Sequence, residues 1–109
     1  MTLDFSQMGE KAFPQFKGGE KALNAAMYAA PEIKIMRGRL EPGATIGTHT
    51  HDTSAEIIYI LSGHATVVTP EGNEELEAGQ CHYCPKGHTH SLQNRSEEDL
   101  TFFAVVPEV

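Results

Sequence analysis

The sequence predicts an all-β domain, a sandwich or barrel. Short runs rich in β-branched and aromatic residues recur at close spacing, and almost every one ends at a glycine or proline. The chain has 109 residues, enough for one core that buries roughly 65% of the unfolded surface and too few for two. One stretch, ALNAAMYAA (22–30), has the composition of a helix, but it has no strong helical apolar stripe.

Taken in order, residues 1–31 read as an N-terminal arm or extra strands, with a turn at Lys17-Gly18-Gly19 and an extended segment over 22–30. EIKIMRGRL (32–40) alternates and stops at Glu41-Pro42-Gly43. EIIYILS (56–62) is stopped by Gly63, and HATVVT (64–69) runs into the turn Pro70-Glu71-Gly72-Asn73. EELEA (74–78) is a short polar strand before Gly79, and QCHYC (80–84) ends at Pro85. HSLQN (90–94) and LTFFAVV (100–106) complete the set. The expectation is a single domain over 1–109.

Two of these strands are apolar on both faces. In 56–62, Ile58 and Ile60 share one face, and Ile57, Tyr59 and Leu61 the other. In 100–106, Leu100, Phe102, Ala104 and Val106 oppose Phe103 and Val105. A barrel strand hides one face inside, so the second needs a terminal arm or a partner subunit. A homodimer is therefore expected.

Charge narrows the partners. The formal net charge is -7, from 8 basic and 15 acidic side chains, and the basic residues are dispersed. Phosphate neutralisation needs a basic footprint, so neither nucleic acid nor an anionic membrane surface is expected as a partner. The N-terminal MTLDFSQMGEKAFPQF has no basic stretch leading into an apolar one, and no run approaches a membrane span. A cytoplasmic location is the expectation. Cys81 and Cys84 form C-x-x-C. One such pair is half of a structural zinc site, and on a strand the two side chains have opposite parity, which suits a disulfide poorly. Two reduced cysteines in or near the core are expected.

Six histidines are present. His49 and His51 are two apart in GTHTHD, so on an extended segment both imidazoles reach one point. On its own, H-x-H describes surface loop histidines more readily than a metal site. Glu56 shares a face with Ile58 and Ile60 and so points inward, where a carboxylate is costly unless a cation or hydrogen bonds compensate it. His90 lies far along the chain, and its strand must return beside the first pair to join them. His64, His82 and His88 read as ordinary solvated or hydrogen-bonded histidines, with His88, two positions from His90, also able to line a pocket mouth.

The spacing of these residues resembles a known family. Gly43, five residues, His49-Thr50-His51, four residues, Glu56, six residues and Gly63 resemble the first cupin motif over 43–63. Gly79, five residues, Pro85-Lys86-Gly87, two residues, His90, three residues and Asn94 resemble the second over 79–94. The spacer of fifteen residues between them is similar to that of minimal, single-domain cupins of the cupin 2 conserved barrel type in the RmlC-like superfamily. Gln80 departs from the aspartate many relatives carry there. The resemblance implies a double-stranded β-helix, a jelly-roll-like barrel. It implies that His49, His51, Glu56 and His90 hold one divalent transition metal, and that copies pair as dimers. Three imidazoles and a carboxylate suit Mn, Fe, Co, Ni or Zn and leave coordination positions open.

Three functions fit this reading. The first is a metalloenzyme acting on a small oxygen-rich metabolite as a dioxygenase, isomerase, decarboxylase or lyase, with His88, Tyr59 or Tyr83 as acid–base candidates. The second is a module that binds or senses a small ligand without chemistry. The third is a metal-free sugar-binding or structural barrel.

Overall fold

The computed structural model describes residues 1–109 and contains ten strands in two antiparallel sheets. They are β1 (Lys11–Pro14), β2 (Ala22–Ala30), β3 (Ile33–Leu40), β4 (His49–Thr50), β5 (Glu56–Ser62), β6 (His64–Thr69), β7 (Gly72–Glu77), β8 (Cys81–Cys84), β9 (Thr89–Gln93) and β10 (Leu100–Pro107). The larger sheet runs β1-β2-β3-β10-β5-β8, and the smaller β4-β9-β6-β7. This is the double-stranded β-helix that the resemblance implies.

Period-two alternation builds the core. Ile58 and Ile60 on β5, Leu100, Phe102 and Ala104 on β10, Met36 and Leu40 on β3, and Leu23 and Ala25 on β2 all turn inward. Ala65 and Val67 on β6, Leu76 on β7 and Leu92 on β9 join the same cluster from the smaller sheet. Burying each large member is worth about 1.5–3 kcal/mol. Gly38 stands opposite Phe102, and a Cβ there would lie 2.3 Å from Phe102 Cζ, so the missing side chain makes room for the ring. The outer faces of β5 and β8 leave Ile57, Tyr59, Leu61 and Tyr83 40–62% exposed. On that side Phe103 is met edge-on by Phe5 of the N-terminal arm, with ring centroids 5.4 Å apart.

Several elements differ from the sequence reading. Residues 1–31, read as an arm or extra strands, contain β1 and β2; the bounds of β1 were not placed. Over 22–30 the chain takes the extended form read from the sequence, because β2 pairs with β3 from Leu23↔Leu40 to Ala30↔Ile33, and a full ladder outweighs the helix propensity of alanine. The Lys17-Gly18-Gly19 turn is a short 3-10 segment at Phe16–Gly18. The hairpin turn after β6 contracts to Pro70-Glu71, because Thr69 pairs directly with Gly72, whose φ of 128° suits glycine. Cys84 is buried, but Cys81 is exposed, which corrects the placement of both in or near the core; strand parity separates them.

Candidate metal centre

A short strand brings the two motifs together. β4 pairs with β9 so that His49 stands opposite His90 and Thr50 opposite Thr89. The His51 N–H donates to the His88 carbonyl at 3.0 Å, and the Gly87 N–H donates to the His51 carbonyl at 2.6 Å. Gly87 makes its turn at φ 87°, a conformation glycine adopts without strain. Pro85-Lys86-Gly87 thus clamps His51 beside His90. Asn94 closes the other end of β9. Its Nδ2 donates to the Leu40 and Glu98 carbonyls at 2.8 and 2.7 Å, and its Oδ1 accepts from the Ser96 N–H at 3.0 Å, so its role is to hold a turn.

The four side chains converge. Glu56 Oε1 lies 3.0 Å from His51 Nε2, 2.9 Å from His90 Nε2 and 4.0 Å from His49 Nε2. His90 Nε2 lies 3.0 Å from His51 Nε2 and 3.2 Å from His49 Nε2. All four donor atoms fall within 4.8 Å of one another, a group that could hold a metal ion.

The outward nitrogens are also engaged. His49 Nδ1 is 2.7 Å from the Gly47 carbonyl, and His51 Nδ1 is 2.8 Å from Ser54 Oγ. His90 Nδ1 is 3.0 Å from His82 Nε2, and His82 Nδ1 is 2.9 Å from Glu74 Oε1. A carbonyl and a carboxylate only accept, so neutral His49, His82 and, through His82, His90 carry their protons on Nδ1. His49 and His90 therefore present bare Nε2 atoms to the Glu56 carboxylate. Such a group of acceptors calls for positive charge at its centre, either a proton held by an imidazolium or a metal cation. Burial works to raise the Glu56 carboxyl, but a proton carried toward it by the surrounding His49, His51 and His90 imidazoles outweighs burial and holds it far below the usual carboxylate range. Burial lowers His90 despite the nearby Glu56 charge.

The cluster lines a cavity of about 470 Å³. Met36, Ile46, Ile58 and Leu92 supply apolar wall, and Lys17, Lys34, Asp52 and Glu108 supply charge. His49 is 18% exposed, against 8% or less for the other three side chains.

The acid–base candidates lie elsewhere. Tyr59 is turned to the outer face by the same parity that turns Ile58 inward, and Tyr83 is 62% exposed. His88 is exposed and borders a separate depression; only its backbone carbonyl touches the cluster, through His51. His64 is a surface histidine 2.8 Å from Glu75 Oε1, as read from the sequence. His82 is 3% exposed and joins the site through His90. Its inward parity with Cys84 was legible, but its partner was not.

The cupin domain family matches residues 36–106. This chain is a member of the cupin family. The cupin is 27% identical, over 97% of its length and 93% of the relative's, to a Thermotoga maritima protein named oxalate-binding protein. It is 28% identical, over 78% of its length and 92% of the relative's, to the β-alanine degradation protein BauB of Pseudomonas aeruginosa. Among solved structures, a T. maritima protein described as a predicted oxalate decarboxylase superposes with a TM-score of 0.91 at 25% identity, over the whole of both chains.

Proposed function

We propose that this cupin holds one divalent transition metal on His49, His51, Glu56 and His90 and uses it to take a small, oxygen-rich carboxylate of the oxalate class. The observation that carries the reading is the convergence of three imidazole nitrogens and a carboxylate, with His49 and His90 forced by their outer partners to offer bare Nε2 atoms. That donor set fits Mn, Fe, Co, Ni or Zn. When bound, the metal would supply Lewis acidity and open positions for ligand oxygens. The protein's own part is to fix the rings, to wall the site with Met36, Ile46, Ile58 and Leu92, and to place the Lys17 and Lys34 charges around the same cavity. The oxalate class is supported by the names given to the T. maritima sequence and structural matches.

Turnover of that ligand, with decarboxylation as the first reaction to assay, is the preferred form of the reading. Binding without turnover is the second, favoured by the placement of Tyr59, Tyr83 and His88 outside the cavity. Metal-stripped protein should be titrated with Mn²⁺ and then given ¹³C-oxalate under air. Formate and CO₂ in the spectrum would establish the enzyme, and saturable binding with oxalate unchanged would establish the binding module. Mn²⁺ uptake without any effect of oxalate would remove the ligand class. Failure to take up Mn²⁺, Fe²⁺, Co²⁺, Ni²⁺ or Zn²⁺ would remove the whole reading. The proposal extends to a homodimer that covers Ile57, Tyr59, Leu61 and Tyr83.

A further inference from the structure

The proposed ligand set leaves a linked pair without a role, the buried His82 and the exposed Glu74. Both line the smaller depression, of about 380 Å³, whose wall also includes His90. His90 therefore borders both cavities, with Nε2 toward Glu56 and Nδ1 toward His82. His82 is 3% exposed, and its ring is tilted by 30° to that of His90 at a centroid distance of 5.2 Å. The Glu74 side chain, at 51%, reaches solvent.

Resting on the metal reading above, we infer that Glu74 and His82 are positioning residues that orient His90 and strengthen it as a ligand. The chain has one direction. The Glu74 carboxylate accepts from His82 Nδ1, which leaves His82 Nε2 to accept from His90 Nδ1. A carboxylate at the far end of two linked imidazoles draws each N–H outward and raises electron density on the inner nitrogen. His49 and His51 have weaker outer partners, a backbone carbonyl and a serine hydroxyl. His90 is thus the one imidazole of the three whose donor strength is set from the surface, through a depression distinct from the cavity that would take the ligand.

Cys84 offers a competing account. His82, Cys84 and His90 also place donor atoms within 4.8 Å of one another. His90 would have to serve that cluster through Nδ1, the nitrogen that faces His82 Nε2, so the chain and a second metal site are mutually exclusive uses of the same atoms.

The test uses Co²⁺ as probe, with dissociation constants and the visible spectrum as readouts. Glu74→Gln, on the surface, should weaken Co²⁺ binding by about tenfold and His82→Leu by up to about 100-fold, the range for loss of an outer partner of a ligating histidine. His82→Gln, whose amide oxygen still accepts from His90, should recover part of the loss. Glu74→Gln should shift the Co²⁺ bands while leaving the metal-free melting temperature unchanged, and Cys84→Ser should leave the affinity unchanged. Wild-type affinity and spectrum in both Glu74→Gln and His82→Leu would overturn the inference. So would loss of binding in Cys84→Ser, which would place the metal in the alternative cluster. Failure of the unsubstituted protein to bind Co²⁺ would overturn the metal reading and this inference together, and so is distinguishable from failure of the chain alone.

Discussion

At the scale of single residues, the site is a set of acceptors that needs a positive charge. Replacing His49 or His90 with alanine removes one of four donors. A metal at 100 times its dissociation constant stabilises the native state by about 2.7 kcal/mol, which in a domain of this size corresponds to a melting shift of roughly 10–20 °C. That shift should be present in the unsubstituted protein and largely lost in His49→Ala and in His90→Ala, as read by differential scanning fluorimetry with Mn²⁺. An undiminished shift in either variant would misplace the metal. Cys84 allows a second prediction. Burial, then the charges of Glu56 and Glu74, push its thiol up to about 11. The thiolate is the reactive form, so Cys84 should stay unmodified by iodoacetamide at pH 8 in the native protein and react fully in urea. Peptide mass spectrometry reads both states.

At the scale of elements, the hairpins and the β3–β10 pair decide where the site residues stand. Phe102 is fully buried and fills the space above Gly38. Gly38→Ala puts a methyl group into that ring and should cost about 1–3 kcal/mol by overpacking. Phe102→Leu frees the space, so the double variant should be less destabilised than the sum of the two single changes. Urea midpoints of the four proteins test this, and simple additivity would show that the ring and the glycine do not share the space. β4 is only two residues long, yet it sets His49 against His90. It is held by the Gly87–His51–His88 backbone bonds rather than by strand propensity.

At the scale of the whole molecule, pH and association are the informative variables. Glu56 is depressed in the fold, so its contribution is present above its ordinary value of 4.5 and is lost as pH falls below it. His90 is lowered from 6.5, so below that pH the unfolded chain takes up the proton more readily than the native one, and stability falls in the same direction. The metal-free protein should therefore have a lower urea midpoint at pH 5.5 than at pH 7.5, and the metal-induced gain should shrink as protons compete for the same nitrogens. A flat profile over that interval would contradict the His90 assignment, whereas the Glu56 contribution is read only below pH 4.5. The exposed Ile57, Tyr59, Leu61 and Tyr83 face predicts a dimer by sedimentation velocity, shifted toward monomer by the double change Ile57→Glu, Tyr59→Glu. A monomeric unsubstituted protein would leave that face to another partner.

By itself, the sequence determined the β-strand alternation, the inward turn of Glu56, Ile58 and Ile60, and the shared face of His49 and His51. These follow from a two-residue period that needs no knowledge of neighbours. The cupin motif spacing also marked Asn94 and His90. The N-terminal strands were less legible, because alanine-rich 22–30 becomes strand only through its ladder with β3. Tertiary structure alone decided which groups meet across the barrel. His90 stands opposite His49 because of a register between strands some forty residues apart. Tyr59, Tyr83 and His88 fall outside the cavity, and His82 with Glu74 stands behind His90. Strand period tells which face a side chain takes, but sheet register and barrel closure choose the partner it finds there.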